Sequence, residues 1–115
     1  MITLDWIKRK DGGWCRLELV DLTTVIGSGV YIIWHTGNPG RVVRVGQGIL
    51  ANRLGVHRND KEILKYKQNG ELRVTWATVQ ATQRDGVERY LANHWKPLVG
   101  DAWPDVTPLA VNSPW

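Results

Sequence analysis

Residues 29–48 read GVYIIWHTGNPGRVVRVGQG. Two runs rich in β-branched and aromatic residues, VYIIW at 30–34 and RVVRV at 41–45, flank a segment of Gly, Asn and Pro. Such side chains suit a pleated, half-buried surface, and the residues between them supply turn chemistry. The stretch predicts a β-hairpin whose loop, HTGNPGR at 35–41, is longer than the tightest types. Gly46-Gln47-Gly48 is expected to end the second strand.

Upstream, GGWCRLELV at 12–20 alternates loosely and predicts a strand after an Asp-Gly-Gly turn at 11–13, with Gly27, Ser28 and Gly29 as punctuation. Downstream, Ile49 to Arg58 has helical spacing. Ile49, Leu50, Leu54 and His57 fall near one face, with Asn52, Arg53 and Asn59 near others. Asp60 is a candidate N-cap for a second short helix, KEILKYKQ, stopped at Asn69-Gly70. LRVTWATV at 72–79 alternates as a strand does. Thr82 can cap a third helix running to about His94, with Val87, Tyr90, Leu91 and His94 or Trp95 as its apolar stripe and Pro97 marking its end. The tail from Asp101 to Trp115 holds three prolines. It is expected to wrap the domain, with 108–112 as a short edge strand. These elements predict a single α+β domain over residues 1–115: a small, three-stranded, mainly antiparallel sheet flanked by helices, with an N-terminal strand and a Pro-rich C-terminal tail.

Composition narrows the function classes. No run is long and apolar enough to cross a bilayer, and Met1 to Lys10 lacks the apolar stretch of a signal peptide. Cys15 is alone, which argues for a reducing, cytoplasmic compartment and an unreactive thiol. Seven Trp and no Phe stand in the chain, and most of the Trp are expected to supply core area. Net charge is +4. Between Arg41 and Lys67 there are seven basic residues against two acidic ones, so the positive charge is concentrated in the middle. A solvated helical face explains such a run; so does attraction to phosphates.

Four features follow in order: Gly29-Val30-Tyr31; Arg44-Val45-Gly46 with Gln47; Arg53-x-x-x-His57; and Glu88, nine residues before Pro97. In this order and spacing, over about residues 27–101, the chain resembles the GIY-YIG nuclease family. It is most similar to small stand-alone members whose helix ends in a run like Pro97-Leu98-Val99-Gly100-Asp101. The resemblance implies a central three-stranded antiparallel sheet and hydrolysis of DNA phosphodiesters with one divalent metal, Mg²⁺ or Mn²⁺. It implies Tyr31 as general base, Arg53 as phosphate and transition-state stabiliser, His57 as an aid to proton transfer and Glu88 as the metal ligand.

The residue types suit that chemistry. A carboxylate such as Glu88 can hold a hard cation that keeps several waters. Arg53 offers a planar fork matched to phosphate oxygens. Four residues separate it from His57, so both project from one helix face. Tyr31 needs cationic neighbours to act as a base at neutral pH, and Arg53, Arg44 or His57 can supply them. Arg44, Gly46, Gln47, Arg58 and Lys61 are candidate substrate contacts. Each residue also has a plainer explanation. Tyr31 can be a strand aromatic, Arg53 a surface cation, His57 a satisfied helix-face histidine, Glu88 a partner of Arg84 or Arg89, Gly46 a structural glycine. His35 and His94 read as structural or surface residues.

Two positions depart from the family pattern. Arg44 stands where a Tyr is usual, and Gly100 where many members have Asn; Asn112 in the tail is a candidate replacement. Other readings are therefore a nucleic-acid-binding module without catalysis, a domain whose Trp- and Pro-containing tail docks a protein, and, more distantly, an RNA-binding sheet that stacks bases on VYIIW. No second domain is recognisable in the 115 residues. Targeting is thus expected from substrate shape, a separate module or a protein partner.

Overall fold

The computed structural model describes residues 1–100 and 102–115; Asp101, the acidic end of the run that starts at Pro97, lies outside them. The hairpin forms as expected. Strand β2 (Ser28–His35) pairs antiparallel with β3 (Arg41–Ile49), with a bulge at Ile33/Trp34. Strand β4 (Leu72–Thr78) flanks β2 on its other side, and a two-residue strand β1 (Cys15–Arg16) pairs with β4. The sheet therefore has four antiparallel strands in the order β1-β4-β2-β3, not three. The expected 12–20 strand shrinks to two residues because the chain turns straight afterwards: Leu19 and Val20 N–H both bond the Arg16 carbonyl.

Alternation along β2 assigns its side chains to two apolar layers. Val30 and Ile32 join Val45, Ala77, Val87 and Leu91 on one face. Tyr31 and Ile33 join Leu50, Leu54, Ile63 and Trp76 on the other. Helix α3 (Ala81–Trp95) covers the first face; helix α1 (Leu50–His57) and the short helix α2 (Lys61–Leu64) belong to the second. Asp60 caps α2 by accepting from Glu62 N–H, as its type suggests, but the second half of the segment, Lys65–Gln68, tightens to 3₁₀.

Several expectations need correction. Strand β3 runs on through Gly46-Gln47-Gly48, and Ile49 closes it with its side chain 66% exposed rather than on the apolar face of α1. Helix α3 begins at Ala81 after Gln80, with no side-chain cap from Thr82. The tail makes one parallel bridge, Ile2 to Val111, instead of an edge strand. It is fastened by Asn112, whose side chain accepts from Leu4 N–H and donates to the Leu4 carbonyl. That role removes Asn112 as a substitute site residue. Among the seven Trp, only Trp6 and Trp76 are buried; Trp14, Trp34, Trp95 and Trp115 gather in a surface cluster. No helix is long and apolar enough to cross a membrane among the described residues.

Candidate active site

Strand β3 is an edge strand, and the sheet brings side chains to it from both faces. Tyr31 lies in the middle of β2, opposite Gly46 on one side and Trp76 on the other. Its hydroxyl shares a 2.5 Å hydrogen bond with Nε2 of His57, at the C-terminal end of α1. Both residues are buried, at 1% and 3% exposure. The guanidinium groups of Arg53 and Arg44 lie close enough to perturb both. Glu88, half-buried on α3 one turn before Leu91 and Ala92, accepts a 3.1 Å bond from the side-chain amide of Gln47. It too feels Arg44 and Arg53. Thus Tyr31, Arg44, Gln47, Arg53, His57 and Glu88 converge from β2, β3, α1 and α3.

Two glycines in Gly46-Gln47-Gly48 clear this space. A Cβ at Gly46 would fall on the hydroxyl and Cζ of Tyr31. At Gly48, whose φ is +138°, a Cβ would lie 3.0 Å from Cγ of Arg53. Gly46 therefore makes room for Tyr31's own ring, in line with its reading as a structural glycine. Gln47 is likewise occupied: its amide nitrogen donates to Asp85 at 2.6 Å as well as to Glu88. Arg58 has protein partners as well. It sits on the backbone carbonyls of Leu17 and Val20, at 3.0 and 2.6 Å, and clamps the segment before β2. Lys61 is exposed at the start of α2 and is absent from the charges that perturb Tyr31, His57 or Glu88. The basic middle segment thus divides. Arg44 and Arg53 face the site, while Lys65 and Lys67 pair on the surface with Glu62 and Glu18.

The two departures from the family pattern meet in space. A Cβ at Gly100, where φ is +96°, would lie 2.6 Å from Nη1 of Arg44. The glycine leaves room for the longer guanidinium. Sequence reasoning also missed Asp85, one turn before Glu88 on α3. Only its shared hydrogen bond to Gln47 reveals it, since an exposed helical Asp carries no distinguishing signal. Glu88 itself forms no ion pair with Arg84, whose Nε donates to the Val79 carbonyl.

Burial decides the ionisation of this group. It pushes the Tyr31 hydroxyl up from the usual tyrosine range, against the pull of Arg53 and Arg44. The two arginines do pull Tyr31 down, as expected of cationic neighbours, but desolvation outweighs them. Burial, then Arg53 and Arg44, lowers His57 to about 4, so its imidazole is neutral at pH 7; Asp60 opposes this. Burial raises the Glu88 carboxyl, while Gln47, Arg44 and Arg53 oppose and Asp85 reinforces the rise. The Nδ1 of His57 is buried without a hydrogen-bond partner.

His57 makes the fold pH-sensitive. Between pH 6.5 and about 4 the unfolded chain binds a proton that the native histidine refuses. Stability from this group is complete above 6.5 and is lost as pH falls towards 4, by ~3 kcal/mol at most. Urea unfolding of wild type and His57→Leu from pH 7.5 to 4 is expected to show a steeper loss of stability in wild type than in the variant. Parallel slopes in the two proteins would contradict a buried neutral His57.

Two carboxylates at the site could offer oxygens to a hard cation. Glu88 and Asp85 converge on one Gln47 nitrogen, so their oxygens already surround a point held by a donor group. Among the described residues, no three His, Cys, Asp or Glu side chains converge. Water and substrate oxygens would have to complete any such site, as Mg²⁺ allows. Comparison with family models, with curated proteins and with solved structures found no match to this chain.

Proposed function

We propose that this chain is a divalent-metal-dependent endonuclease of the GIY-YIG kind, hydrolysing DNA phosphodiester bonds. What supports the reading is the convergence of Tyr31, Arg53, His57 and Glu88, drawn from β2, α1 and α3, around one spot at a sheet edge. Arg44 and Arg53 act on Tyr31, His57 and Glu88 alike, which ties the phenol, the imidazole and the carboxylate to one pair of guanidinium groups.

In this reading Arg53 and Arg44 clamp the phosphate oxygens and offset the charge that builds on them. The attacking water gives its proton to Tyr31 Oη as the Tyr31 proton passes to Nε2 of His57. Tyr31 thus serves as base through a relay and never needs to stand as a phenolate. His57 is unprotonated at neutral pH and ready to accept. Its basicity is weak while two arginines face it, and an arriving phosphate that neutralises them raises it. Glu88, with Asp85 beside it, would hold Mg²⁺ or Mn²⁺, which supplies charge neutralisation at the phosphoryl oxygens and leaving group. A cytoplasmic setting suits Cys15, whose thiol burial pushes up and leaves unreactive.

A second reading, a nucleic-acid-binding module of the same fold, is favoured by the near-complete burial of Tyr31 and His57. One assay separates them. Purified wild type and Glu88→Ala are incubated with supercoiled plasmid and with flap, bubble and junction DNA, in Mg²⁺, Mn²⁺ or EDTA. Cutting by wild type is expected, and its loss in EDTA and in Glu88→Ala. Salt-dependent binding without cutting, unchanged in Glu88→Ala, would establish the binding module instead. Cutting that survives Glu88→Ala would refute the site.

A further inference from the structure

Outside the candidate active site, the most unusual feature is the surface cluster of four indoles. Trp34 on β2 and Trp95 at the end of α3 both rest on the core layer under that helix. Trp115 packs on both, with ring centroids 4.6 Å from Trp34 and 5.1 Å from Trp95. Trp14 meets Trp34 and Trp115 edge to face. Together with the base of the β2–β3 loop, including Arg41, these rings line a pocket of about 560 Å³. Trp115 is 51% exposed, so about half of its surface stays open to solvent beside the pocket.

The charges around the pocket limit what it can take. No Asp or Glu is among its lining residues, Arg41 stands at its rim, and the Lys8 ammonium sits 4.6 Å from the Trp14 ring. One indole of the cluster already carries the Lys8 ammonium on its face, so a further cation would meet the like charges of Lys8 and Arg41 with no carboxylate among the lining residues to offset them. A flat, uncharged ring attached to an anion fits: indole faces stack on the ring while Arg41 and Lys8 attract the phosphate. An aliphatic or proline-rich peptide offers the cations nothing. The position adds a further argument. Trp95 lies seven residues beyond Glu88 on the same helix, ~10 Å along its axis. That distance is about three nucleotides of B-form rise.

We infer that the Trp14/Trp34/Trp95/Trp115 pocket is a stacking subsite for an unpaired nucleobase, so that the substrate class is DNA carrying unpaired nucleotides close to the phosphate held by Arg53 and Arg44. The inference builds on the nuclease reading for its place in a reaction. Its binding chemistry does not depend on cleavage. Within a duplex the bases are already stacked on one another and have no free face to offer. A flap, gap or single strand does.

The test is fluorescence anisotropy in EDTA at fixed salt, using wild type, Trp115→Ala and Trp115→Phe. Probes are a labelled single strand, the same strand with consecutive abasic sites, and a fully paired duplex. Wild type is expected to bind the single strand about tenfold more tightly than the abasic strand. Trp115→Ala is expected to lose that preference with duplex binding unchanged, and Trp115→Phe to recover most of it. Arg41→Gln gives a second variant outside the aromatic packing, with weaker binding of both single strands and a lower salt dependence. Equal affinity of wild type for normal and abasic strands would overturn the proposal. So would an equal effect of Trp115→Ala on duplex and single strand, and the cluster would then read as a protein-docking face. Cleavage without a base preference sinks the subsite and leaves the nuclease; base-dependent binding without cleavage does the reverse.

Discussion

Gly29→Ala is expected to destabilise the domain by at least ~3 kcal/mol and to lower its thermal midpoint by ~12 °C or more. Gly29 lies in β2, an inner strand, opposite Gly48 on β3 and Thr78 on β4. A Cβ there would land on the carbonyl oxygen of Ala77 and lie 2.8 Å from Cα of Thr78. Those atoms belong to the backbone of the neighbouring strand, so no rotamer change relieves the clash. The sheet itself must open at the β2–β4 ladder, where both apolar layers begin. Typical domains hold only ~5–15 kcal/mol in reserve. Gly55→Ala is the control. Its Cβ would lie 3.3 Å from the flexible end of Leu22, and alanine favours the helix. Urea and thermal unfolding of both variants against wild type decide the matter. A Gly29→Ala protein with an unchanged midpoint would mean that the strands stand further apart than described.

This glycine shows what the sequence could and could not disclose. Gly29 and Tyr31 stood out as part of a spaced pattern, but the pattern gave no reason for the glycine. The reason is a close approach of two strands that lie far apart in sequence. The hairpin, α1, β4 and α3 were legible because their hydrophobic periods are strong and their boundaries carry turn or cap residues. The tightening of 65–68 to 3₁₀ was not legible, nor was the shrinkage of 12–20 to Cys15–Arg16, because tertiary contacts set both. Within the site, Tyr31, Arg53, His57 and Glu88 stand out through the resemblance to a nuclease family, since each alone has a plainer explanation; the structure hydrogen-bonds Tyr31 to His57 and sets Arg53 near both. Nothing in the sequence shows that Arg58 bonds the Leu17 and Val20 carbonyls, because those partners lie 41 and 38 residues away. Nor does it show that burial outweighs the pull of Arg53 and Arg44 on Tyr31. Charge is visible in a sequence, but the depth at which it is buried is not.

Ionisation also frames the second large effect. Tyr31→Phe is expected to lower the rate of DNA cleavage ~10²–10⁴-fold while leaving DNA affinity within a few-fold of wild type. The ring still fills the space that Gly46 leaves, and only the hydroxyl and its bond to His57 are removed. His57→Gln should approach the same loss, because the Tyr31 proton then has no acceptor. The double variant should be little worse than either single one, as expected for residues that act as a unit. The pH–rate profile distinguishes a relay from a phenolate. With His57 at about 4 in the free protein, the relay has its acceptor free throughout neutral pH, so kcat/KM, which reports the free protein's groups, should be nearly flat from pH 6 to 8. A phenolate mechanism starts from a hydroxyl raised by burial and would gain about tenfold per pH unit across that range. A flat profile in wild type, with the deep loss in Tyr31→Phe, is the result the geometry calls for. A unit slope would keep Tyr31 as the base but reduce His57 to holding it in place. Unimpaired cleavage by Tyr31→Phe would return the Tyr31–His57 pair to the core as a buried hydrogen bond and nothing more.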